Sequence, residues 1–377
     1  MAEPHLPVFQ PHIAVDTIKA VVDALDVGWL GMGASTQAFE KEIERYLECA
    51  PRRVIATNTG TSALHLALAL AGVGPGDEVI TPSFNFVADH MAIRACGAEP
   101  VLCDIRDDDL GADPASVASL IGPRTKAIVP LHMAGMPCRI EELRALARSH
   151  GLRLIEDATH AFGTKIGGRP IGSDGDLTCF SFDPVKVITS IDGGAVVVRS
   201  NDDLPTAQQI RLLGIDKDTV ERYKNQRAWE YDVLRDGQRY HLTNINASIG
   251  LSQLRRVDEF ITTRRRTCRR YSAAFRELPE LRTPATDFAD VSPFIYYVRL
   301  PAARRLAFID ALRERNIATG IHFLPSHKFT VAQRWRRSDM RVTEAVCEEI
   351  VTLPLHSNMS DQLSDRVIEA VTEFMRR

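Results

Sequence analysis

Three short segments combine residue types that could do chemistry together. The first is Asn58-Thr59-Gly60-Thr61-Ser62-Ala63-Leu64, set between an apolar run and a helical pattern. Gly60 permits a tight turn, after which Thr61 and Ser62 present free backbone N–H groups at a helix start. Unpaired amides and the helix dipole both favour a phosphate there. An ordinary helix cap uses the same residue types, and the segment matches neither the Walker nor the GxGxxG pattern. The second is Glu156-Asp157-Ala158-Thr159-His160, preceded by apolar Leu154-Ile155. Asp157 thus leaves a strand at its carboxyl edge, where a carboxylate needs a cationic or hydrogen-bonded partner, or else caps a helix. The third is Phe180-Ser181-Phe182-Asp183-Pro184-Val185-Lys186, followed by Asp192-Gly193-Gly194. Lys186 has apolar neighbours, and a desolvated lysine becomes a nucleophilic amine. The plainer alternative is a surface lysine on a loop, with the Asp-Gly-Gly as a turn.

Order and spacing say more than any one segment. An anion cradle at 60–62, an acid at 157, a hydroxyl at 181 and an amine at 186 are the equipment for pyridoxal 5′-phosphate. Its phosphate needs the helix start, its pyridine nitrogen needs a carboxylate, and its aldehyde needs a lysine.

The elements that must position these groups alternate. Strands are expected at Arg53–Thr57, Glu78–Thr81, Glu99–Cys103, Lys126–Leu131 and Arg153–Glu156. Helices are expected between them at Ala63–Ala71, Val87–Cys96, Pro114–Ile121 and Ile140–His150. This alternation predicts right-handed βαβ units and a mainly parallel sheet covered on both faces, with ligands at the carboxyl ends of the strands. Leu177–Phe182 and Ala195–Val198 add two strands. One long helix is expected over Asn244–Leu278, and short strands at Ile295–Leu300 and Ala318–Phe323. A boundary near residue 250 divides a large domain, 1–250 with the N-terminal segment included, from a small α+β domain, 251–377.

Composition excludes several classes. The 377 residues are 45% hydrophobic and 25% charged, as in a globular chain rather than a disordered or fibrous one. Lys+Arg number 46 against 49 Asp+Glu, a net charge of −3, which argues against nucleic acid or an anionic membrane as the main partner. The longest apolar stretch, Ala63–Val73, is too short to span a bilayer. The N-terminus lacks the basic and apolar regions of a secretory signal. Seven cysteines without a CxxC pair point to reduced thiols in a cytoplasmic protein, and no metal motif is present.

The sequence resembles the DegT/DnrJ-type sugar aminotransferases, which have the fold type I architecture. The resemblance runs from Gly28-Trp29-Leu30-Gly31-Met32-Gly33 through the three segments above and Pro82-Ser83-Phe84-Asn85-Phe86-Val87-Ala88. It continues in Tyr240-His241-Leu242-Thr243-Asn244-Ile245-Asn246 and Ile321-His322-Phe323-Leu324-Pro325-Ser326-His327. It implies that Lys186 carries the cofactor's aldehyde and later moves the proton. Asp157 would pair with the pyridinium nitrogen, His160 would sit near the phenolic oxygen, and Phe86 would stack on the ring. Gly60, Thr61, Ser62 and Ser181 would hold the phosphate, with Arg239 and His241 reaching it from a second subunit of a homodimer. Trp29, Leu30, Gly31, Asp183, His322 and His327 would face the substrate. The activity implied is transfer of an amino group from L-glutamate, which leaves as 2-oxoglutarate. The acceptor would be a keto carbon, C3 or C4, of a nucleotide-linked ketosugar, with pyridoxamine 5′-phosphate as the intermediate form.

Some residues depart from the family pattern. Asp183 replaces a frequent histidine, Asp192 a frequent glutamate, and Asn85 a usual threonine, while Arg239 and His241 stand where asparagine or another polar residue is common. These leave the acceptor open, a keto-inositol or another keto-sugar included, as well as a cofactor-binding regulator without turnover. A dehydratase relative would carry histidine in place of Lys186. Arg264, Arg265, Arg266, Arg269 and Arg270 form a basic cluster, expected to be a solvated helix face paired with acids rather than a nucleic-acid site.

Overall fold

The computed structural model describes residues 4–216 and 230–377. Helices α1 (Val15–Val27) and α2 (Ala34–Tyr46) precede the alternating region. Strands β1 (Arg53–Thr57), β2 (Glu78–Pro82), β3 (Glu99–Cys103), β4 (Thr125–Ile128) and β5 (Arg153–Asp157) follow in order. Between them lie α3 (Gly60–Leu70), α4 (Ala88–Ala95), α5 (Pro114–Leu120) and α6 (Ile140–Ser149). A two-residue hairpin, β6 (Lys165–Ile166) and β7 (Arg169–Pro170), leads to β8 (Leu177–Ser181) and β9 (Gly194–Val198). The main sheet has seven strands in the order β1-β9-β8-β5-β4-β2-β3. β2, β3, β4, β5 and β8 run parallel, and β9 is antiparallel to both its neighbours.

Strand alternation sorts side chains to the two faces. Val54 and Ala56 pack with Phe39, Phe180 and Val197 on one side, while Ile55, Ile155 and Val196 pack with Leu66 and Ala67 of α3 on the other. Each such apolar side chain contributes about 1.5–3 kcal/mol when fully buried. Helix α3 is apolar nearly all round because it lies against the sheet and against α4. The same alternation separates two adjacent acids. Glu156 is held by His132 and Arg144 at 3.2 and 2.8 Å, whereas Asp157 lines a cavity at the strand end.

Beyond α7 (Asp203–Arg211), the expected helix over 244–278 is two helices, α8 (Asn244–Leu254) and α9 (Val257–Phe275). The break at Arg256 (φ −112°, ψ 6°) has no proline or glycine to announce it. It arises because α8 packs on α1 and α2, while α9 packs on α12 (Asp361–Met375) at the C-terminus. A division at 250 therefore falls inside α8, and the packing changes after Leu254. β10 (Tyr296–Arg299) and β11 (Ile350–Leu353) form an antiparallel pair, joined by α10 (Ala302–Glu314) and α11 (Arg341–Glu349).

The strand expected at Ala318–Phe323 is only an isolated bridge, Gly320 to Thr352, with another from Leu6 to Ile317 just before it. Leu6 N–H donates to Asn316 O at 2.9 Å, and Leu355 N–H to Val8 O at 3.0 Å. Leu6 and Val8 thus lie against the C-terminal part. The arginine cluster also divides. Arg264 is 1% exposed and donates to the carbonyls of Pro293, Phe294 and Leu355 and to Ser357. Arg266 and Arg270 pair with Asp361 and Asp365, and Arg265 and Arg269 donate to the carbonyls of Val291 and Asp287. No helix among the described residues is long and apolar enough to cross a membrane.

Candidate active site

The parallel strands β5 and β8 end at Asp157 and Ser181, and β1 ends just before the α3 cap, so three segments meet at one sheet edge. Gly194 opens β9 there, opposite both Thr57 and Ser181. A Cβ on Gly194 would lie 2.3 Å from Thr59 O, so only glycine fits between cradle and strand. The cavity at this edge is about 340 Å³ and is lined by Gly60, Thr61, Phe86, Asp157, His160, Ser181, Asp183, Lys186 and His322 of the expected set.

Helix α3 starts with a reciprocal cap. Thr59 Oγ1 accepts from Ser62 N–H at 3.0 Å and Ser62 Oγ accepts from Thr59 N–H at 3.0 Å. The Ser62 amide is therefore engaged in the cap. The amides of Gly60 and Thr61 have no protein partner among the described residues. Gly60 is required by proximity rather than by a turn: its Cβ would sit 2.8 Å from Ser181 Cβ.

Lys186 lies on the loop between β8 and β9, its Nζ 4.2 Å from the centroid of the Phe294 ring. Burial pulls its pKa down to about 8, against the opposing pull of Asp157 and Asp183. Asp183 Oδ1 accepts Val185 N–H at 3.0 Å, and Asp183 O accepts Lys186 N–H at 3.0 Å. Asp183 thus shapes the loop that presents the amine. Asp157 is buried and accepts Thr159 N–H at 2.9 Å.

His160 is buried, and its Nδ1 has no hydrogen-bond partner in the protein. Burial, with the charges of Lys186 and His322, holds its pKa well below the usual histidine range, so the ring is neutral. His322 is likewise pushed down to about 4 by burial and Lys186, and its Nδ1 is 2.9 Å from Thr352 Oγ1. Phe86 is 58% exposed and offers an open aromatic face at the mouth.

Other expected residues lie elsewhere. His327 is buried between Ser83 Oγ (2.8 Å) and Glu344 Oε1 (3.2 Å). Both ring nitrogens are engaged, so it ties segments together and does not line the cavity. Trp29, Leu30 and Gly31 sit at the α8 start, where the carbonyls of Leu30 and Gly31 accept Asn244 N–H. His241 bridges to Thr57 at the end of β1, and Arg239 bridges to Leu212 just after α7. None of these five lines this chain's cavity. Sequence reasoning missed Phe9, Asp89, Phe294 and Phe323, which do. Phe9 and Phe294 stack at 5.2 Å, an arrangement that depends on contacts far apart in the chain. For Asp89 a signal existed in the unusual Asn85, whose Nδ2 donates to Asp89 Oδ2 at 2.8 Å.

The residues fit pyridoxal 5′-phosphate. Unpaired amides and a hydroxyl lie at one end of the cavity, a buried carboxylate and a lysine of lowered pKa lie within it, and the orphaned His160 nitrogen awaits a partner. Fold and site define a pyridoxal-phosphate-dependent aminotransferase of fold type I. Residues 11–372 match the DegT/DnrJ/EryC1/StrS aminotransferase family, and the chain belongs to that family. It is similar to the spore coat polysaccharide biosynthesis protein SpsC of Bacillus subtilis (strain 168), 36% identical over 98% of this chain and 97% of that one. It is also similar to the crystal structure of the aminotransferase TlmJ from Streptoalloteichus hindustanus, with a TM-score of 0.92 and 34% identity over 99% of each chain. The sugar aminotransferase Spr1654 of Streptococcus pneumoniae, described as putative, resembles it in its PMP form (TM-score 0.90) and its PLP form (0.89). Both are 29% identical over 99% of each chain.

Proposed function

We propose that this sugar aminotransferase moves an amino group from L-glutamate to C3 or C4 of a nucleotide-linked ketosugar, in two half-reactions that regenerate the cofactor. The observation that carries this reading is one cavity holding Lys186, Asp157, the neutral His160 and the Gly60–Thr61 amides. When bound, pyridoxal 5′-phosphate supplies an electron sink for charge developing at the carbon that bears nitrogen. The Gly60 and Thr61 N–H groups and the Ser181 hydroxyl bind the phosphate at the α3 start. Asp157 stabilises a proton on the pyridine nitrogen, and His160 donates its N–H to the phenolic oxygen. Phe86 covers one ring face, a contact worth about 0.5–1.5 kcal/mol. Lys186 Nζ, with a pKa near 8, is suited to take and return the proton exchanged in each half-reaction.

The site is read as shared across a two-fold dimer, with Arg239 and His241 reaching the partner's cavity. The apolar residues that α1 leaves exposed, Val15, Ile18, Val22 and Leu25, suit burial against a second copy.

The test loads the protein with glutamate and offers a panel of nucleotide ketosugars, free ketosugars and keto-inositols. Mass spectrometry should find an added amine on a nucleotide-linked sugar. Amination confined to an inositol or a free sugar would overturn the acceptor. Cofactor retention without any transfer would favour a regulator.

A further inference from the structure

The cavity holds a second carboxyl group that no role above uses. Asp89 lies in the first turn of α4, is buried, and lines the same cavity as its neighbour Asp157, which is equally buried. Its Oδ2 accepts from Asn85 Nδ2 at 2.8 Å. Two neighbouring acids, both cut off from water, cannot both be charged without a cation between them. Asp157 is one of the acids whose charge opposes the lowering of the Lys186 pKa, and it accepts the Thr159 N–H at 2.9 Å, a bond made better by a carboxylate than by a neutral acid.

We propose that Asp89 and Asp157 hold one proton between them, carried by Asp89 and donated in a hydrogen bond to Asp157. The pair then presents a single negative charge to the pyridine nitrogen.

The groups facing Asp89 are Thr81 from β2, Asn85 from the β2–α4 connection, Asp157 from β5 and Cys179 from β8. Asn85 and the α4 start favour charge on Asp89. Burial and Asp157 oppose it and outweigh them, holding the Asp89 pKa well above the usual carboxylate range. One charge facing one pyridinium makes a neutral assembly, so the bound ring keeps its proton without an excess buried anion. The donor on Asp89 also fixes which way the Asp157 carboxylate faces. Asn85 then has a function of its own, since its amide orients Asp89. Asp89 is thus a positioning residue acting through Asp157, an inference that rests on the cavity taking pyridoxal phosphate.

Infrared spectroscopy of the cofactor-free and the loaded protein tests it. At pH 7 the wild type should show the carbonyl stretch of a neutral carboxylic acid, shifted in D2O and lost in Asp89→Asn. No band at pH 7, or a band that survives Asp89→Asn, overturns the proposal. Asn keeps a neutral donor to Asp157, whereas Leu does not. Glutamate turnover in Asp89→Leu should fall about ten- to a hundredfold below that in Asp89→Asn, the range for groups that orient a directly acting one. The loss should appear in kcat rather than KM, and the pH at which the cofactor's absorbance titrates should move in the Leu variant. Equal loss in both variants overturns it. If Asp89→Leu does not fold, the band and its loss in Asp89→Asn decide. Failure of the wild type to bind the cofactor sinks the cofactor reading whatever the band shows. A loaded, active protein without a neutral acid at Asp89 sinks the proton pair alone.

Discussion

Gly60 and Ser181, from different elements, approach until a Cβ on Gly60 would lie 2.8 Å from Ser181 Cβ and 2.9 Å from Ser181 Oγ. This closeness sets the free amides of the α3 start beside the hydroxyl at the β8 end. Neither group alone makes a phosphate site. Together they surround one, and the absence of a side chain at residue 60 is what lets them meet.

Gly60→Ala should therefore force the helix start and the strand end apart. The expected outcome is at least tenfold weaker binding of pyridoxal phosphate and a stability loss of about 1–3 kcal/mol, typical of overpacking. Cofactor titration and urea unfolding measure the two. Adding Ser181→Gly should recover stability without recovering affinity, because it relieves the contact while removing a hydroxyl. Wild-type affinity in Gly60→Ala would show that the cradle does not hold the phosphate.

Lys186 gives a prediction with a definite sign. Its pKa is about 8 in the folded chain against the ordinary 10.5. Between those values the unfolded chain binds a proton that the folded chain has shed, so stability rises with pH across that window. Below pH 8 the folded chain bears the full penalty of a poorly solvated ammonium. In the cofactor-free protein, Lys186→Met should be the more stable at pH 7, by roughly 1–3 kcal/mol. The gap should narrow as the pH rises toward 10.5. Denaturant titrations at several pH values check this, and a gap that does not change with pH would mean a solvated amine. Borohydride reduction of the loaded wild type, followed by peptide mapping, should place the label on Lys186.

Much of the frame was legible because its signals are local. Runs such as Arg53–Thr57 and Arg153–Asp157 alternate with helical patterns, and a parallel strand hands its last residues to the ligand edge. Asp157 and Ser181 reach one cavity for that reason. What was not legible depends on distant contacts. Arg264 reads as one more cation on a basic helix, yet its guanidinium is buried beneath the carbonyls of Pro293 and Phe294. It thereby holds the loop whose Phe294 ring covers Lys186. The break between α8 and α9 was hidden too, since it follows from two packing surfaces and not from a helix-breaking residue. His327 looked like a substrate group because its motif lies beside His322, but the chain turns between them. His322 goes to the cavity, and His327 goes to Ser83 and Glu344.

The arrangement of Arg239 predicts a site completed by a second copy. Its backbone is fixed, with Arg239 bridged to Leu212 and the next residue, Tyr240, accepting Asn58 N–H at 2.7 Å. Its side chain is exposed, lines no part of this chain's cavity, and has no partner among the described residues. The planar fork of arginine suits phosphate, and on the reading of a shared site it grips an oxyanion bound by the other copy. A two-fold axis close to this segment would bring each Arg239 toward the other chain's cradle. Lys186→Ala and Arg239→Ala, each purified and confirmed inactive or nearly so, are unfolded together and refolded. Random pairing makes about half of the dimers mixed, and a mixed dimer has one cavity with both Lys186 and a partner's Arg239. Activity should return to about a quarter of wild type per subunit, since one of two sites works in half the dimers. Mixed dimers that form but stay inactive would place Arg239 in the service of its own chain, and the shared site would be wrong.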